Sequence, residues 1–81
     1  MEGLLWFDSD PKRKTSDKII QAADRFRARL KQKPTVCYLN SAEFDETQTE
    51  VEGIEVRPGS NILPHHFLLG VEQNSPPSKT A

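Results

Sequence analysis

Residues 16–32 read SDKIIQAADRFRARLKQ. Ile19, Ala23, Phe26 and Leu30 recur at steps of four, three and four, with Ile20 and Ala22 flanking the stripe. That spacing gathers apolar side chains on one face of a 3.6-residue helix. Thr15 and Ser16 stand before it as N-cap candidates and Asp17 falls in its first turn. Arg29, Lys31 and Lys33 close it ahead of Pro34, so the charges oppose the helix dipole at both ends. The pattern predicts a helix over about 16–32. A helix with a single apolar face must bury that face against another layer, and the flanking segments supply one.

Upstream, the apolar run GLLWFD at 3–8 is stopped by Asp10-Pro11 and reads as a buried strand. Downstream, Thr35 to Asn40 is β-branched and aromatic, apolar at successive positions as in a strand covered on both faces. Strand, helix and strand together suggest a parallel crossover. Asn40 followed by Glu43 resembles a capping pair, which allows a helical turn or two around 42–45. Beyond Gly53, Ile54 to Arg57 alternates as a strand, Pro58-Gly59-Ser60-Asn61 turns it, and His66 to Glu72 forms the last one. The link from 58 to 65 is long for a hairpin but suits an antiparallel return. The expectation is a small two-layer α/β domain over 1–72 in β-α-β-β order, one main helix on a mixed sheet of about four strands. Its core would come from the helix stripe together with Trp6, Val36, Tyr38, Ile54, Val56, Phe67, Leu69 and Val71. The tail QNSPPSKTA has no large apolar residue and is expected to be disordered.

Eighty-one residues make one small domain, with a stability of about 4 to 12 kcal/mol and little room for a two-lobed catalytic cleft. The single cysteine, Cys37, excludes an intramolecular disulfide and a paired-cysteine zinc motif, which points to a reducing compartment, the cytoplasm. The apolar run at the N-terminus is too short for a signal core or a membrane span, so no membrane association is expected. Net charge is −1, yet residues 12–33 carry nine Lys/Arg against two Asp, whereas 43–55 carry six acids and no base. Such blocks either meet different partners or neutralise each other within the fold or across a homodimer.

The adjacent histidines of LPHHFLLG at 63–70 point to opposite faces if they lie in a strand. His66 then sides with Leu68 and Gly70, and His65 with Phe67 and Leu69. One metal cannot readily take both, and no further ligands stand at a recognisable spacing, so they read as the polar lip of the strand. Cys37, mid-strand with no base beside it in sequence, reads as a small buried apolar group. The four glycines form no phosphate loop. No cofactor is expected.

If the first two strands are parallel, their C-terminal ends share one sheet edge, where crossover folds usually place ligands. Asp8, Asp10, Asn40 and Ser41 then converge there, bordered by Lys12, Arg13, Lys14 and the helix N-terminus. This is a mixed polar patch suited to an acidic or phosphorylated group. The reading this supports is a non-enzymatic interaction module for a macromolecular, protein partner. The alternative is nucleic-acid binding through Arg25, Arg27, Arg29, Lys31 and Lys33. Against it, these residues spread around the helix and the pI is about 6.1. A third reading is magnesium-dependent phosphotransfer on Asp8 and Asp10. Asp8-Ser9-Asp10 after an apolar strand resembles the first motif of haloacid dehalogenase-like phosphotransferases, but Pro11 follows at once and no second acidic pair succeeds a later strand.

Over most of residues 5–72 the chain resembles a set of short uncharacterised bacterial proteins. The shared features are the start WFDSDPKR, in the form W-[FY]-D-x-D-P-K-R, the strand around Cys37 in the form P-x-x-C, and the ending VRPGSNILPHHF, in the form V-x-P…L-P-x-H-F. The resemblance implies a self-standing small domain and assigns no activity to any residue.

Overall fold

The computed structural model describes residues 3–72; the tail expected to be disordered lies outside them. Five strands, one long helix and one short 3-10 turn follow in the order β1 (Gly3–Phe7), α1 (Thr15–Leu30), β2 (Val36–Asn40), the turn Ser41–Glu43, β3 (Glu50–Val51), β4 (Ile54–Gly59) and β5 (His66–Gly70). This is the expected α/β layering, one helix on a mixed sheet, with one strand more than expected.

The additional strand lies inside the acidic block. Glu50 and Val51 pair antiparallel with Glu55 and Ile54 across a two-residue turn. Both turn residues have positive φ, 54° at Glu52 and 83° at Gly53, as the primed turn of a tight hairpin requires. Gly53 meets that demand without strain, and a Cβ on it would also press on the Lys33 ammonium at 3.2 Å.

The spatial order is β1-β5-β2-β4-β3. β5 runs antiparallel to both β1 and β2, so these two are parallel to each other but separated by it. β2 pairs with β4 in parallel. β4 and β5 therefore run in opposite directions, as the long link suggested, yet they are not neighbours. That link has to carry the chain past β2.

The helix covers one face of this sheet. Ile19, Ala22, Ala23 and Phe26 meet Cys37, Leu39, Val51, Ile54, Val56, Phe67 and Leu69, all buried, with Leu4, Trp6, Ile20, Leu30, Phe44 and Val71 packed around them. The core expected from sequence requires a correction in β2. Cys37 and Leu39 face the helix, whereas Tyr38 lies on the opposite face in register with Leu68 and Arg57. A strand apolar at every position carries no alternation from which to read its phase; pairing of Cys37 with Leu69 and Val56 sets it instead.

The helix boundaries also shift. Lys14 is the N-cap, with no side-chain cap, and Thr15 and Ser16 lie inside the first turn. The amide of Lys12 is bound by the Asp10 carboxylate and that of Arg13 by the Asp10 carbonyl, so this turn delivers the chain into the helix early. At the far end Lys31 turns left-handed, φ 58°, and donates its N–H to the Arg27 carbonyl.

Phe26 is fully buried at the centre of the helix stripe. Phe26→Ala is expected to cost about 3 to 5 kcal/mol, a large share of the stability of so small a domain. Urea denaturation followed by circular dichroism measures it.

Candidate functional site at the sheet end

β1 and β2 end on the same side of the sheet, and β5 begins between them. Asp8 and Asp10 follow β1, Asn40 closes β2 and Ser41 succeeds it. The sequence-expected residues are thus brought to one edge, in a more constrained arrangement than a bare polar patch.

Asp8 is the hub of that edge. Its amide donates to the His65 carbonyl at 3.0 Å and continues the β1–β5 ladder by one rung. Its carbonyl accepts from the Lys18 ammonium at 3.2 Å. One carboxylate oxygen accepts from the Asp10 amide at 3.0 Å, the other from the Arg13 guanidinium at 3.0 Å. Asp10 repeats the device, binding the Lys12 amide at 2.9 Å. Both carboxylates of the Asp-Ser-Asp motif therefore fasten consecutive turns of backbone, which is the ordinary work of aspartate two residues ahead of an amide. Arg13 reaches onward to the Gln21 side chain and to the Asp17 carbonyl. Lys12 and Lys14 are exposed.

Asn40 binds in two directions. Its side-chain oxygen accepts from the Ala42 amide at 2.8 Å, starting the 3-10 turn, and its nitrogen donates to the Ile62 carbonyl at 2.9 Å. Ile62 in turn lies over Gly59, where a Cβ would come within 2.7 Å of it. Glu43 does not return to Asn40 as a capping partner. Its carboxylate takes the His65 amide at 3.0 Å and stands 3.2 Å from the His65 ring nitrogen.

Three residues have contacts that their reading in sequence did not disclose. His65 is left-handed, φ 66°, and is held there by Glu43 at its amide and ring and by Asp8 at its carbonyl. A non-glycine residue in that region persists when its surroundings fix it, as these do. Lys18, counted within the basic block, is only 8% exposed and lines a small pocket of about 130 Å³ with Thr15, Glu43, His65 and Phe67. Arg57 ties down the uncovered sheet face. It binds Glu72 through both terminal nitrogens at 2.7 and 2.9 Å, reaches Glu55 at 2.8 Å and the Tyr38 hydroxyl at 3.2 Å, and lies 5.9 Å from the Tyr38 ring centre. Hydrogen bonding from Arg57 holds the Glu55 carboxyl below its ordinary range, and its carboxylate partners push the Arg57 guanidinium up. An i, i+2 pair such as Glu55 and Arg57 gives little to find in sequence until Glu72 arrives from just beyond β5.

The two histidines do part as expected. His66 opens β5 on the uncovered face, its ring 4.9 Å from that of Phe7. The basic residues of α1 and of the segment after it are divided: Arg27, Lys31 and Lys33 line an open groove of about 970 Å³ together with Asp24 and Glu52, whereas Arg25 and Arg29 are exposed elsewhere on the helix. Cys37 is fully buried, and burial pushes its thiol up to about 12. Among the described residues no helix is long and apolar enough to cross a membrane, and no three His, Cys, Asp or Glu side chains are grouped to hold an ion.

Removing the hub carboxylate in Asp8→Ala is expected to cost about 1 to 3 kcal/mol, and Asp8→Asn, which keeps the acceptor for the Asp10 amide, less than that; urea midpoints decide. The Cys37 thiol is expected to resist a disulfide reagent at neutral pH until the chain unfolds, as followed by absorbance. Because its folded pKa of about 12 lies above the ordinary 9.0, the stability tied to the neutral thiol is whole below pH 9.0 and is lost as pH rises towards 12. No known protein family, curated protein or solved structure matches the chain.

Proposed function

We propose that this chain is a small non-enzymatic interaction module that binds a macromolecular partner, a protein, at the sheet end where β1 and β2 stop. The observation that carries this reading is that two large apolar side chains stay exposed at this end of the sheet, on backbone that polar groups hold in place. Phe7 is 58% and Leu63 66% exposed. Leu63 belongs to the loop that Asn40 and Glu43 bind on either side, and Phe7 immediately precedes Asp8. Exposed apolar side chains beside ordered polar groups are what a recognition surface is built from.

The polar groups there suit a partner with an acidic or phosphorylated group. Asp8 is already neutralised by Arg13, while Lys12 and Lys14 remain exposed beside the first turn of α1, whose opening N–H groups carry the positive end of the helix dipole. The buried Cys37 brings no nucleophile to this edge.

Trp6 fluorescence and backbone amide shifts during titration with protein fractions of a cell lysate, short RNA and DNA, and magnesium test the reading. A protein fraction is expected to move the amides of residues 7–10, 12–14, 40–41, 63 and 65–66, and Leu63→Asp is expected to weaken that binding at least about tenfold. Salt-sensitive shifts across 12–33 with oligonucleotides would replace the reading with nucleic-acid binding, and shifts at Asp8 and Asp10 with magnesium would replace it with phosphotransfer.

A further inference from the structure

We infer that β1 is a self-association edge, along which a second copy of the chain pairs antiparallel about a two-fold axis at Leu5. The sheet order leaves two outer strands, β1 and β3. β3 is two residues long and carries Glu50, with Glu52 in its turn, the short and charged form that keeps an edge from pairing. β1 is five residues, Gly-Leu-Leu-Trp-Phe, without a charge or a proline.

The hydrogen-bond phase of that edge follows from one contact. Asp8 and His65 occupy opposed positions, and the Asp8 amide donates to the His65 carbonyl. Bonded pairs alternate along an antiparallel ladder, so Leu4 and Trp6 also bond to β5, and the N–H and C=O groups of Gly3, Leu5 and Phe7 point outward. The side chains of Leu5 and Phe7 lie on the face without a helix, where they are 59% and 58% exposed. Unsatisfied backbone and exposed apolar area thus coincide on one strand.

That strand is complementary to itself. With Leu5 opposite Leu5 of the second copy, Gly3 stands opposite Phe7 and Phe7 opposite Gly3. Every outward-facing residue then exchanges both of its backbone groups, as an isologous interface requires. Each Phe7 ring falls beside a glycine of the other copy, where no side chain competes for the space, and an aromatic over an edge glycine is a known stabilising pair in sheets. On the helix-covered face Leu4 meets Trp6 of the other copy. A single strand pair buries less than the roughly 1,600 Å² of a standard complex, so the dimer dissociates on dilution.

Because the contact is uncharged, it differs from an association between the basic and acidic blocks, which salt would weaken. It shares Phe7 with the partner-binding reading yet fails separately from it: a monomer overturns the edge and leaves that reading standing, and a dimer that binds no protein fraction, with the monomeric Leu5→Lys variant binding none either, does the reverse. Sedimentation equilibrium of the whole chain at low and high salt tests it, with Leu5→Pro and Leu5→Lys. Proline removes the amide that points away from β5, so the monomer sheet is kept while the new pairing is lost. The parent is expected to dimerise at both salt concentrations, and each variant to raise the dissociation constant at least about tenfold, with a thermal midpoint in dilute solution close to the parent's. Leu5→Lys decides alone if Leu5→Pro does not fold. A parent that stays monomeric up to sub-millimolar concentration, a dimer that high salt dissolves, or a dimer that Leu5→Lys leaves intact overturns the inference.

Discussion

The insertion of β5 between β1 and β2 is the constraint from which the remaining architecture follows. Leu69, with no exposure, is in register with Leu4 on one side and Cys37 on the other, and Phe67 likewise with Trp6 and Leu39. One strand thereby supplies the apolar centre of the sheet and forces β1 and β2 to run the same way. Two parallel strands at that separation need a long crossover, and α1, laid over the same face, provides it. The arrangement also brings the ends of β1 and β2 to one edge, with the start of β5 between them. Asp8 can then clamp β1 to His65, and Glu43 can clamp the turn after β2 to the same residue.

Much of this was legible in the sequence because it is written in local period. The helix shows a clean recurrence from Ile19 to Leu30, and the β1, β2 and β4 segments are apolar or alternating runs bounded by proline, glycine and acid. The common edge of Asp8, Asp10, Asn40 and Ser41 followed from strand, helix and strand alone. Features set by long-range pairing were not legible. Val36 to Leu39 is apolar throughout, so its inward parity exists only relative to Leu69 and Val56. β3 was hidden because its turn is Glu-Gly, not the Asn-Gly or Asp-Gly that announces a tight hairpin, and because Glu50 and Val51 sit in an acidic block. Lys18 was counted among solvated bases, and only the fold brings its ammonium to the Asp8 carbonyl.

The charge blocks resolve in an unexpected way. The ion pairs found among the described residues join Glu55 and Glu72 to Arg57 and Asp8 to Arg13, while Glu43 binds the amide of His65. The acidic segment thus spends two of its charges fixing loops and the uncovered face of the sheet, and Glu52 is its member that borders the basic groove of α1. Near-neutral net charge here is met locally as well as in total, since acids stand beside bases in the groove and on the uncovered face alike.

The split crossover also dictates the order in which the protein can be made. The β3–β4 hairpin is the one pair of sheet neighbours adjacent in the chain. β1 finds its partner only in β5, nearly the whole described length away, and must wait for it through the synthesis of everything between. Such non-local pairing raises contact order and slows folding. Until His66 to Gly70 leaves the ribosome, the uncharged run Gly3 to Phe7 has both backbone edges unpaired, the kind of segment that holdase chaperones cover and that aggregates when they do not.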